Sequence, residues 1–162
     1  MIQAGDVVID FGAAPGGWVQ VASEIVGESG LVVAMDMVPL KVSESNMRMV
    51  MGDVYDDRAI ARLKSLLPRK ADVVLSDLSP NITGAWDLDH YRQVELVLRV
   101  VLLMGDLLKK GGNAMLKVFD GDRFLEAKRT LDSRFRVTSI VKPKASRRQS
   151  SELYLVGLGY DP

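Results

Sequence analysis

Apolar residues recur along this chain in two alternating rhythms. "DVVIDF" (6–11), "LVVAMD" (31–36), "ADVVLSD" (71–77) and "GGNAMLKVF" (111–119) are short, nearly continuous apolar runs. Such runs suit strands buried on both faces. "MRMVMGD" (47–53) is a weaker run of the same kind. Between them the spacing turns helical. Residues 17–27 place Trp18, Val21, Ala22 and Ile25 on one side, with Gly27 as a stop; 56–67 are amphipathic and end at Pro68; 91–109 are apolar on most sides; 121–132 follow. "RVTSIVK" (136–142) and "SELYLVGLG" (151–159) read as two final strands with no helix between them. The alternation predicts an α/β fold, with a mostly parallel sheet of about seven strands and helices on both faces. The link "PKASRRQS" is too short for a parallel crossover, so one strand near the C-terminus should run antiparallel. No repeat, linker or low-complexity tract divides the chain, and residues 1–162 are expected to form a single domain.

Composition narrows the chemistry. Apolar content of 48% and charged content of 26% are those of an ordinary soluble protein. There is no cysteine, which excludes disulfides and thiolate metal sites, and His90 alone cannot build a multi-histidine site, so no metal is expected. The longest apolar stretch is too short to span a bilayer and no basic-then-apolar segment opens the sequence, so a cytoplasmic location and no membrane partner are expected. The net charge of zero hides an asymmetry. Residues 107–150 carry twelve Lys and Arg against four Asp and Glu, and the remainder carries nine against seventeen. A chain polarised in this way can offer a basic face to a polyanion.

The strongest local signal is "DFGAAPGGW" (10–18), which joins the first strand to the first helix. Ligands of open α/β sheets bind at that edge. Gly12, Gly16 and Gly17 let the backbone turn tightly and approach a ligand. The spacing is not that of a dinucleotide loop, because Ala14 stands where the middle glycine would be, and Pro15 removes an amide donor that a pyrophosphate would use. An amino-acid and ribose portion suits the loop better. Asp36 follows at the distance where a carboxylate can accept from ribose hydroxyls, and Asp53 could meet an adenine amino group. With Asp10 and Asp77, four strands end in or are followed by an aspartate, which at one edge of one sheet makes a site. Lys117 interrupts the apolar strand "AMLKVF", where a charge without a task would be costly. "KPKASRRQS" carries Lys142, Lys144, Arg147 and Arg148, suited to phosphate contacts. Trp86 and Tyr91 could stack on a base or pack the long helix; His90 reads as structural; the methionines around 35–51 read as core filling.

With "DFGAAPGGW", "SDLSPNITGAWDLDH", "LKVFDG" and "KPKASRRQSSELYLV" in view, the chain resembles the FtsJ/RrmJ family of S-adenosylmethionine-dependent RNA ribose 2′-O-methyltransferases over nearly its whole length. The resemblance implies a class I methyltransferase (Rossmann-like) sheet. It implies S-adenosylmethionine held by Asp10, Gly12, Ala13, Pro15, Gly16, Gly17, Trp18, Asp36, Met37, Asp53, Val54 and Asp77. It also implies RNA as the partner, on Lys142, Lys144, Arg147 and Arg148, and a monomer. Of the family's Lys-Asp-Lys-Glu set, Asp77, Lys117 and Glu152 match. The first lysine, on the family's N-terminal helix, has no counterpart in "MIQAG". Gly16-Gly17-Trp18 is more similar to the branch acting on large-subunit (23S-type) rRNA, with a uridine as the expected target, than to the tRNA anticodon-loop branch.

Methyl transfer to a ribose hydroxyl needs two partners in line and one proton managed. Lys117 could take that proton or, charged, orient the hydroxyl. Asp77 could hold the lysine, and Glu152 could orient the lysine or the ribose. A cofactor- and RNA-binding module with impaired catalysis, or a nicotinamide oxidoreductase, are the competing readings. The loop spacing and the final strand pair speak against the latter.

Overall fold

The computed structural model describes residues 1–143 and 151–162. Seven strands and four helices follow one another as β1 (Val7–Phe11), α1 (Gly17–Val26), β2 (Leu31–Asp36), β3 (Met47–Met51), α2 (Asp57–Leu66), β4 (Ala71–Ser76), α3 (Trp86–Leu107), β5 (Leu108–Phe119), α4 (Phe124–Asp132), β6 (Phe135–Val141) and β7 (Glu152–Tyr160). The strands form one sheet in the order β3-β2-β1-β4-β5-β7-β6. β7 is antiparallel to both its neighbours, and the pairs from β3 to β5 are parallel. The mixed sheet expected from the short final link is therefore present.

The apolar runs are buried as their composition demands. β1 and β4 are buried along their whole length, because each lies between two strands and under helices on either face. On one face α2, α3 and α4 bury Ala59, Leu63, Val97, Val101, Ala127 and Leu131 against Ile9, Phe11, Val74 and Leu116. On the other, α1 packs Val19, Ala22 and Val26 against Val8, Val32, Ala34 and Leu75. The strands turn over the sheet in opposite directions from β1: β2 and β3 lie to one side, β4 onward to the other. That reversal opens a crevice beyond the ends of β1 and β4, where ligands of such sheets bind.

Three local expectations are corrected. α1 buries Val19, Ala22, Ser23 and Val26, and leaves Val21 and Ile25 exposed. Two overlapping apolar stripes share this helix, and the small Ala22 and Ser23 select the one that can approach the sheet. α3 begins at Trp86, five residues before the expected start at 91. Asp89 lies inside this first turn and accepts from the amides of Thr83 and Gly84 and from Thr83 Oγ1. With Asp87 it also places negative charge at the helix N-terminus, where it stabilises the turn. Finally, α3 runs straight into β5 without the expected turn at 111–112. Gly111, at φ 79, sits in a register shift that pairs Ala71 with Leu108 but Val73 with Asn113. A bulge accommodates the positive φ inside the strand.

Candidate functional site

The loop after β1 reaches the start of the loop after β4. Gly12 has φ 73, and a Cβ there would lie 2.7 Å from the Leu78 amide nitrogen and 2.9 Å from the Asp77 carbonyl carbon. Only glycine lets the two strand ends meet this closely. The Gly12 amide also donates to the Met35 carbonyl at 2.9 Å, which draws in the end of β2. Asp36 then fastens the loop: one carboxylate oxygen accepts from the Ala14 amide at 2.9 Å, the other from Val38 at 3.0 Å. Gly16 is wedged against Val42, whereas a Cβ on Gly17 would meet nothing.

These elements wall a cleft of about 670 Å³. Of the residues expected at a cofactor site, Gly12, Asp36, Met37, Asp53, Val54 and Asp77 line it together. Asp53 is held by accepting from the Tyr55 amide at 2.9 Å. Asp10 and Ala13 lie beneath the lining, fully or almost fully buried. Pro15, Gly16, Gly17 and Trp18 lie outside it. Trp18 instead packs its ring 5.5 Å from that of Tyr154, on β7.

Asp10 has no hydrogen-bond partner for either carboxylate oxygen among the described residues. Burial, and then the charges of Asp77 and Asp36, raise its pKa to about 8. At neutral pH it is a buried, protonated acid under the glycine loop.

Asp77 joins the cleft to a second cluster. Lys117, on β5, is buried, yet its Nζ lies 3.4 Å from Asp77 Oδ1 and 3.9 Å from Glu152 Oε1. The β5–β7 register pairs Lys117 with Tyr154 and Phe119 with Glu152, so one strand pair delivers Lys117, Glu152 and Tyr154, and the end of the adjacent β4 adds Asp77. The Tyr154 hydroxyl donates to Asp77 Oδ1 at 3.0 Å. Burial, then the Asp77 carboxylate, push this phenol above its usual range, so it remains a donor. Behind the cluster, the buried Gln93 side chain donates to the Lys117 carbonyl at 2.9 Å and ties β5 to α3.

The three expected members Asp77, Lys117 and Glu152 thus converge, from strands remote in sequence. Tyr154 was missed, although it stands two residues after Glu152 and the strand period puts both on one face. Tyr55, two residues after Asp53, also lines the cleft, as do Arg92 and Glu95, which carry no local signal because tertiary packing alone brings α3 to it. His90 is structural: its Nε2 accepts from the Arg123 amide at 2.9 Å. Of the expected RNA contacts, Lys142 is exposed just beyond β6, and Lys144, Arg147 and Arg148 lie outside the described residues.

Residues 1–160 match the family model for FtsJ-like methyltransferases. The chain belongs to that family. The chain is similar to several curated proteins called ribosomal RNA large subunit methyltransferase E. The Cenarchaeum symbiosum relative is 42% identical, over 99% of this chain and 81% of its own length. That of Methanocaldococcus jannaschii is 40% identical over 99% and 67% respectively. That of Methanococcus maripaludis is 41% identical over 97% of this chain, which spans 61% of the relative's length. Among solved structures, a Plasmodium falciparum protein assigned as a ribosomal RNA methyltransferase superposes with TM-score 0.87 at 24% identity, over 99% of this chain and 89% of its own. Fibrillarin of Aeropyrum pernix, crystallised with natively bound S-adenosyl-L-methionine, superposes with TM-score 0.72 at 16% identity, over 96% and 67%. These structural likenesses show that the chain shares the sheet and helix arrangement of both. No helix among its described residues is long and apolar enough to cross a membrane.

Proposed function

We propose that this chain transfers the methyl group of S-adenosylmethionine to a ribose 2′-hydroxyl of RNA, with large-subunit ribosomal RNA as the substrate. The observation that carries the proposal is the convergence of Lys117 and Glu152 beside Asp77, which itself lines the glycine-loop cleft. The names of the curated relatives favour ribosomal over transfer RNA.

The cleft fits the cofactor. A Cβ at Gly12 would fill the gap between the strand ends, and the cleft volume of about 670 Å³ lies within the range of small-molecule sites. Asp36 and Asp53 offer acceptors for ribose hydroxyls and an adenine amine, while Met37, Val54 and Leu78 offer apolar walls. Asp77 presents a carboxylate to a cationic amine. When bound, S-adenosylmethionine supplies a methyl group already activated on a positively charged sulfur.

The remaining work falls to the chain's own side chains. Lys117 Nζ meets the acceptor hydroxyl and either accepts its proton or, charged, stabilises the developing negative charge on its oxygen while the proton passes to water. Asp77 and Glu152 set the position of Nζ, one from each side. Tyr154 donates to Asp77 and so fixes the carboxylate that fixes the lysine.

The test is a transfer assay with labelled S-adenosylmethionine, using large ribosomal subunits and tRNA as separate acceptors and mapping the modified nucleotide. The expected product is a 2′-O-methylated ribose in large-subunit RNA. Lys117→Ala is expected to lower kcat about 10²–10⁴-fold while cofactor affinity stays within about twofold of the parent. Base methylation, or an undiminished Lys117→Ala rate, overturns the proposal.

A further inference from the structure

Three aromatic side chains are well exposed among the described residues: Tyr55 at the cleft, and Trp86 and Tyr91 on the first two turns of α3. Trp86 is mounted firmly. Its inner side stacks on Phe119, with ring centroids 5.9 Å apart and planes 19° apart, and on His90, at 6.0 Å and 17°. His90 cannot retreat: its ring crowds Gly121, where any Cβ would lie 2.8 Å from the imidazole, and its Nε2 holds the Arg123 amide. The turn before Trp86 is clamped on Asp89 through Thr83 and Gly84. Yet the indole remains 47% exposed. Leaving that much of the largest apolar side chain in water is unfavourable unless a partner covers it.

Its position says which partner. Phe119 ends β5, two residues beyond Lys117, and is paired in register with Glu152, whose carboxylate faces Lys117 Nζ. At a strand rise of ~3.3 Å per residue, Phe119 lies about 7 Å along β5 from Lys117. Trp86 stacks on Phe119, and so lies one ring away from the end of the strand that carries Lys117. Tyr91 continues the surface, with the Arg123 guanidinium 4.4 Å over its ring, and Arg92 follows on the rim of the cleft. A flat ring stacked on two others, with Arg92 on the nearby cleft rim, suits a nucleobase better than an irregular protein surface.

Resting on the RNA methylation proposed above, we propose that the exposed face of Trp86 is a stacking platform for the unpaired base next to the ribose presented to Lys117. It holds the strand in register without reading sequence, since every base offers a π-face.

The experiment compares the parent chain with Trp86→Ala and Trp86→Phe. Three quantities are read: affinity for a fluorescein-labelled oligouridylate, quenching of tryptophan fluorescence by the unlabelled oligomer, and KM and kcat on the methylated RNA. Trp86→Ala is expected to weaken oligomer binding and raise KM about tenfold, within the range base stacking supplies, with kcat and cofactor affinity within about twofold. Trp86→Phe should keep most of the affinity and lose the Trp86 share of the quenching, leaving only that of Trp18, which decides the matter even if the alanine variant folds poorly. Undiminished oligomer binding by Trp86→Ala overturns the platform, as does quenching in Trp86→Phe that is as large as in the parent, when only Trp18 remains to report it. A changed oligomeric state with unchanged RNA affinity also overturns it, marking a protein dock instead. A parent chain that methylates RNA while these variants are silent refutes the platform alone. A parent chain that neither binds the oligomer nor transfers methyl refutes the RNA proposal, and the platform with it.

Discussion

At the residue scale, Asp10 shows how burial changes what a side chain is. An aspartate at the edge of a sheet would be an ionised acceptor. Fully buried, and facing the charges of Asp77 and Asp36, it keeps its proton up to about pH 8. The sign of the consequence follows. Its folded-state pKa is raised above the ordinary value of 3.8, so between pH 4 and 8 the folded chain holds a proton that the unfolded chain has released. Stability should fall across that window by up to ~1.4 kcal/mol per pH unit and level off above it. Asp10→Asn, which keeps shape and removes the titration, should flatten the profile. Denaturant unfolding at a series of pH values measures both slopes, and parallel profiles would show that Asp10 does not titrate in this range.

At the element scale, the glycine loop contains residues with different tasks. Gly12 is required by geometry on two counts, its φ of 73 and the backbone of Asp77 and Leu78 in the space a Cβ would take. Gly12→Ala should cost about 1–3 kcal/mol through backbone strain and should also abolish cofactor binding. Gly17 has ordinary φ and open space around it. Gly17→Ala should leave the melting temperature unchanged or slightly raised, as alanine favours a helix start over glycine. Any loss of S-adenosylmethionine affinity in that variant would then report close approach of ligand to backbone, not damage to the fold. Thermal unfolding with and without cofactor separates the two effects. Equal stability of the two alanine variants would refute this division.

At the scale of the whole molecule, charge is segregated along the chain. The acidic remainder supplies Asp36, Asp53 and Asp77 to the cleft, and the basic stretch 107–150 supplies Lys117 and the loop beyond β6. If Lys142, Lys144, Arg147 and Arg148 carry phosphates as proposed, RNA affinity should fall linearly on a log scale with salt. Replacing all four by alanine should reduce that slope by roughly 3, at about 0.7 per phosphate of a single strand. Binding isotherms at several salt concentrations provide the check, and an unchanged slope would place the RNA path elsewhere.

The fold class, the strand order's parallel body, the antiparallel finish and the three members of the Lys117 cluster were all legible in residue order. The fold features, Lys117 and Asp77 rest on local rules: apolar runs of strand length, helical spacing between them, a link too short to cross over, a lysine out of place in an apolar strand and an aspartate at a strand end; Glu152 was implied by the family resemblance alone. The start of α3, the buried stripe of α1, the partnership of Tyr154 with Asp77 and the walls that Tyr55, Arg92 and Glu95 add to the cleft were not. Those features depend on contacts between residues far apart in the chain, where a choice between two acceptable local states is made by what packs against them. Asp89 extends a helix because Thr83 and Gly84 fold back onto it, and Ala22 faces the sheet because the sheet is near enough to require a small side chain. Sequence periodicity names the candidates for each position; close packing and the satisfaction of buried polar groups choose among them.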